Sequence, residues 1–95
     1  MATNVLTTGN TAATSSEIAA TAGTPITFYL KGEYGSAEVP AAAYVWLQVE
    51  SDDATWINVR RLSSQTDPVY VLDATGKFRF NREEQTYEIG VFRGD

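Results

Sequence analysis

Apolar and polar side chains alternate one for one along most of this chain, and that period of two constrains its fold more than any other feature. In PITFYLK, residues 25–31, Ile26, Phe28 and Leu30 fall on one side while Thr27, Tyr29 and Lys31 fall on the other. Successive side chains of a strand point to opposite faces, whereas a helix brings its apolar positions round every three or four residues. The segment therefore reads as a half-buried strand. No stretch sustains a helical period, and neither heptads nor long repeats occur. The 95 residues supply a single core, because a chain this short hides only about 60–65% of the surface it exposes unfolded. The pattern predicts an all-β fold, a small antiparallel β-sandwich or partly open barrel of about six or seven strands, immunoglobulin-like in style.

The beginning of the chain departs from this pattern. Residues 1–24 are built almost wholly of Thr, Ala, Ser and Gly, with Glu17 the one charged side chain and Val5, Leu6 and Ile18 the sizeable aliphatics. Such a segment buries little by itself, so the expected division is an extended N-terminal arm, residues 1–24, and one β domain, residues 25–95. The arm either hangs as a flexible leader or becomes ordered on a partner or neighbouring subunit, with Val5, Leu6 and Ile18 as its contact residues. Its threonines suit β pairing, and SSEIAAT can add an edge strand to the domain. Further on, KGEYGSAEVPAA carries two glycines and a proline and reads as a long connection.

Side-chain parity registers the next two strands. Opposed residues of an antiparallel pair share a face, so Val49 must meet Ile57, and Leu47 must meet Val59, if both apolar rows are to enter one core. That register needs a five-residue loop, Ser51 to Thr55. It sets Trp46 against Arg60, Gln48 against Asn58 and Glu50 against Trp56 on the opposite face. Both indoles then point away from the core.

In PVYVLDATGKFRFN the loop Ala74-Thr75-Gly76 ends in glycine, as a three-residue hairpin loop does. Pairing outward sets Asp73 against Lys77, Leu72 against Phe78 and Tyr70 against Phe80. The alternative is a chain that crosses between sheets at this corner, and the turn chemistry favours the hairpin. TYEIGVF extends the same sheet, with Tyr87 facing Phe80, Ile89 facing Phe78 and Glu88 opposite Arg79.

Catalysis finds little to work with. Histidine and cysteine are absent, which removes the commonest general base, thiolate chemistry, disulfides and the usual transition-metal ligands. The close carboxylate pairs, Asp52-Asp53 and Glu83-Glu84, fall in expected exposed turns, without the apolar surround that acid–base catalysis by carboxylates uses. A calcium site around Ser51, Asp52, Asp53 and Thr55 lacks the ligand spacing of an EF-hand, and adjacent aspartates commonly serve to bend the chain. The glycines Gly32 and Gly35 do not form a phosphate-binding motif. We therefore expect no enzyme, cofactor or metal. Seven basic against twelve acidic side chains, a formal charge of −5, disfavour nucleic acid. No apolar run approaches the roughly 20 residues of a membrane span, and no signal peptide is evident.

Surfaces remain. Tyr44, Trp46, Trp56 and Arg60 can form an outward aromatic and guanidinium cluster, made of the residue types most enriched at binding hot spots. Either a partner or the protein's own chain can cover it. Carbohydrate-binding and adhesin modules also use aromatic platforms.

Taken together, ITFYLKG, EVPAAAYVWLQV with its partner TWINVRRL, and GKFRFN with a closing YEIGVF resemble small structural proteins of tailed bacteriophages. The resemblance spans residues 24–92 and is one of style, an acidic β domain behind a Thr/Ala-rich leader. It implies a virion protein made in the host cytoplasm, a capsid decoration (cement) protein first, and a tail or neck adaptor or fibre-anchoring protein second. Its implied partners are the major capsid protein or other virion proteins, and its implied state is a homo-oligomer, a trimer before others.

Overall fold

In a computed structural model, which describes residues 2–33 and 42–94, the chain forms two antiparallel sheets packed as a sandwich without a closed barrel. Among the described residues the strands are β1 (Ala2–Gly9), β2 (Ala13–Thr14), β3 (Ile18–Ala20), β4 (Ile26–Gly32), β5 (Tyr44–Glu50), β6 (Trp56–Ser63), β7 (Val69–Leu72), β8 (Gly76–Arg82) and β9 (Ile89–Gly94). The back sheet runs β1-β9-β4-β7. The front sheet runs β2-β8-β5-β6, with β3 also on β8. Most of KGEYGSAEVPAA lies outside the described residues. No helix among the described residues is long and apolar enough to cross a membrane.

The core lies where the inner rows of the two sheets meet. Phe28, Leu30, Ile89 and Val91 come from the back sheet, and Val45, Leu47, Leu62, Phe78 and Phe80 from the front, all essentially buried. Phe28 and Phe80 meet edge to face across the layer, centroids 4.9 Å apart at 71°. PITFYLK behaves as its alternation predicts, with Ile26, Phe28 and Leu30 buried and Tyr29 and Lys31 exposed.

Residues 1–24 are not an arm. β1 pairs with β9, while β2 and β3 pair with successive parts of β8, so one short segment seals the same flank of both sheets. SSEIAAT does add the edge strand, through Ile18 opposite Phe78. Leu6 and Ile18 are buried in the core and Val5, half-buried, packs against it, so all three contact the protein's own core rather than standing on an arm. The physical reason is that few apolar residues suffice when each fills an existing gap between two sheets. Gly90 makes the closure possible: a Cβ there would stand 2.9 Å from the Thr8 backbone, closer than real atoms approach.

The chain also crosses between sheets at Ala74-Thr75-Gly76. β7 pairs with β4 and β8 pairs with β5, so the expected hairpin is replaced by the crossing that turn chemistry had disfavoured. Gly76 still serves the corner, at a φ of 152° that side-chain-bearing residues rarely adopt. Asp73 and Thr75 accept hydrogen bonds from the backbone N–H groups of Gly23 and Ala22, at 2.8 and 3.0 Å, tying the corner to the N-terminal segment. β9 joins the back sheet between β1 and β4, and so does not face β8 as a ladder neighbour. The turn residues alone do not choose between hairpin and crossing. Burial decides between them, because the two flanks of β8 are taken by β5 and by β2 and β3.

β5 and β6 form the hairpin expected, with Val49 opposite Ile57, Gln48 opposite Asn58 and Glu50 opposite Trp56. Beyond Asn58 a β-bulge intervenes, so Leu47 meets Arg60, Trp46 meets Arg61 and Val45 meets Leu62. The extra residue is Val59. Leu47 is fully buried, whereas Ile57 and Val59 are 51% and 52% exposed, so the inner row of β6 is only partly covered. The bulge turns Arg60 toward the inner side and hands its expected outward place to Arg61.

Candidate partner-binding face

The outer face of the front sheet collects side chains from β5, β6 and β8. Parity places Tyr44, Trp46 and Gln48 of β5 there with Trp56, Asn58 and Arg61 of β6 and Arg79 and Asn81 of β8, and the cross-strand pairs follow the same rows. Hydrogen bonds fix this row. Gln48, itself buried, donates from Nε2 to Asn58 Oδ1 at 2.8 Å and accepts from Arg79 Nε at 2.7 Å. The indole N–H of Trp46 donates to Glu83 Oε1 at 2.8 Å, and the Tyr44 hydroxyl reaches the same oxygen at 3.3 Å.

Two guanidinium groups lie on the rings. Arg61 stands 4.2 Å from the centroid of Tyr44, and Arg79 stands 4.4 Å from that of Trp56. A cation over an aromatic face is attracted by the ring quadrupole, by about 0.5–1 kcal/mol at an exposed site. The four groups are half-buried or exposed, so they present flat apolar area and positive charge together. Holding them in place before binding lowers the ordering cost of an interface. Chemically, the face can stack planar groups and accept carboxylates.

Of the residues expected here, Tyr44, Trp46 and Trp56 are on this face. Arg60 is not. It pairs with Asp67 at 3.2 Å and lies 5.8 Å from the centroid of Tyr70, across the open side between the sheets. Burial pushes the Asp67 carboxyl upward, but hydrogen bonds from the Ser63 N–H, the Thr66 hydroxyl and Arg60 outweigh it and hold the carboxyl below its usual range. Arg79 and Glu83 were missed because β8 was paired with the wrong strand. Gln48 carried a usable sign, since parity put it between the two indoles.

In the Ser51–Thr55 loop, Asp53 accepts from the Ser51 hydroxyl and from the Thr55 N–H, and these bonds lower its carboxyl pKa. Ala54 takes a φ of 64°, closing the turn with its N–H on the Ser51 carbonyl at 3.0 Å. The aspartate shapes the loop. No group of three or more His, Cys, Asp or Glu side chains that can hold a metal occurs among the described residues.

A second exposed region lies on the back sheet. Val69 and Val71 are each 53% exposed beside Tyr29 and Thr27, with Phe92 next along the row and Lys31 5.0 Å from its centroid. PVYVL carried the sign, because its apolar residues occupy both faces of a strand. Compared with family models, curated proteins and solved structures, the chain finds no match in any of the three.

Proposed function

We propose that this protein is a non-catalytic binding module of a bacteriophage virion, a capsid decoration protein that docks through the outer face of its front sheet. The observation that supports the docking face is the fixed row of Tyr44, Trp46, Trp56, Arg61 and Arg79. Aromatic and arginine side chains dominate binding hot spots, and here hydrogen bonds and ring contacts within the sheet hold them in one row. The virion setting rests on the resemblance carried by residues 24–92. A module that binds only the assembled shell stabilises it by mass action, since a ligand preferring one state shifts the equilibrium toward that state. The N-terminal segment has no part in this mechanism.

The glycan-platform reading is weaker. Arg79 occupies space over the Trp56 ring, where a sugar would stack, and the Trp46 N–H is already bonded to Glu83. The test is co-sedimentation of purified protein with shells of the phage that encodes it and with their unassembled subunits. Saturable binding to shells alone is expected, lowered at least tenfold by Trp56→Ala combined with Arg79→Ala. No binding to shells, or equal binding by the double variant, would remove the proposal.

A further inference from the structure

We propose that β6 is the seam of a two-fold homodimer, its free edge pairing antiparallel with β6 of a second copy about Asn58. β6 is the last strand of the front sheet among the described residues. Ladder bonds alternate along an antiparallel strand, so every second residue directs its N–H and C=O away from its partner. The Ser51 N–H bonds the Thr55 carbonyl at 2.8 Å, which makes Thr55 and Ile57 inward and leaves Trp56 and Asn58 outward. Past the bulge, Leu62 is inward opposite Val45, and Arg61 and Ser63 are outward. Ser63 confirms the phase: its N–H donates to Asp67 Oδ2 at 3.2 Å and its carbonyl accepts from the Asp67 N–H at 2.9 Å. The edge groups on offer are therefore those of Trp56, Asn58 and Arg61.

The bulge gives this edge its symmetry. Val59 and Arg60 together oppose Leu47, so Arg61 lies one outward position beyond Asn58, just as Trp56 lies one before it. With the axis at Asn58, Trp56 of each copy faces Arg61 of the other, and both side chains are on the outer face. On the inner side, Ile57 meets Val59 of the second copy, covering two side chains left about half exposed. Arg60 is held back by Asp67. Moving the axis to Arg61 sets arginine against arginine, and moving it to Trp56 leaves both arginines unmatched. Like charges directly opposed destabilise a sheet. An isologous edge closes at two copies, so the seam specifies a dimer where the resemblance implied a trimer. The inference does not rest on what the outer face binds, although Trp56 and Arg61 belong to both surfaces.

The chain has no cysteine, which makes cross-linking a direct readout. Hydrogen-bonded residues across antiparallel strands have Cα atoms about 5.5 Å apart, within disulfide range. Mild oxidation of Asn58→Cys should give a covalent dimer, while Glu84→Cys, in an exposed turn, stays single. In sedimentation the wild-type protein should show a concentration-dependent dimer, and Ile57→Lys should be a monomer with an unchanged far-ultraviolet spectrum. Three results would overturn the seam: a wild-type monomer at every concentration, which leaves the edge to some other strand; equal cross-linking at positions 58 and 84; or association that survives Ile57→Lys.

Discussion

The two flanks of the sandwich are built on opposite principles. On the closed flank, β1, β2 and β3 wrap both sheets, and Arg82 is buried at their junction. Its guanidinium donates to the carbonyls of Thr11, Thr7 and Ile89 at 2.7, 2.6 and 2.8 Å, joining β1, the following loop and β9. Ser15 bonds Phe80 in both directions, each at 2.9 Å. The Gln85 side chain imitates a strand, accepting from the Tyr44 N–H and donating to the Tyr44 carbonyl. On the open flank, β6 and β7 expose Ile57, Val59, Val69 and Val71, and the ion pair of Arg60 with Asp67 bridges the gap. Folding demands the first arrangement, because buried backbone carbonyls without donors are costly. It does not demand the second. Apolar side chains left on solvent where the fold has no use for them are what an interface needs.

The contrast is sharpest in deletion. Removing residues 2–20 takes the edge strands from both sheets and three core residues, Leu6, Ile18 and Ala20. We expect loss of the cooperative urea transition, and a folded truncated chain would show that the closed flank is dispensable. Next in size, Arg82→Met leaves three carbonyls without their donor and should cost about 2–4 kcal/mol in urea unfolding. A matched pair separates the flanks further. Leu6→Ala, at a site 5% exposed, should cost about 2–4 kcal/mol, whereas Ile57→Ala, at one 51% exposed, should cost under about 1 kcal/mol under conditions where the protein is monomeric. Equal losses would erase the distinction.

The smallest effect concerns pH. Asp67 has its carboxyl depressed in the folded state, so its contribution is complete above the unfolded carboxyl value of about 3.9 and disappears as pH falls through the lower folded value. Thermal melts of Asp67→Asn should therefore show a shallower acid-side loss of stability than the parent. Identical slopes would mean that the latch on the open flank is inert.

Much of this architecture is legible in alternation. The inward row of PITFYLK, the outward indoles of Trp46 and Trp56, and the pairing of Val49 with Ile57 all follow from counting by two. The face that gathers the aromatic residues was legible to the same degree, and its arginines were not. Arg60 and Arg61 are adjacent and chemically identical, so a single inserted residue, invisible to any periodicity, exchanges their roles. Val5, Leu6 and Ile18 looked too sparse to belong to a core because their neighbours in sequence are small and polar, but their neighbours in space are not.

Sequence alone determined that the segments from Ile26 onward, β4 to β9, are strands and which side of each is apolar, because backbone pleating imposes a two-residue period without reference to anything distant. Tertiary structure decided which strands pair, where β5 and β6 slip by one residue, and that the first 20 residues close the sandwich. These depend on which apolar surface remains uncovered once the other strands are in place, a property of the assembled layers that no local stretch encodes.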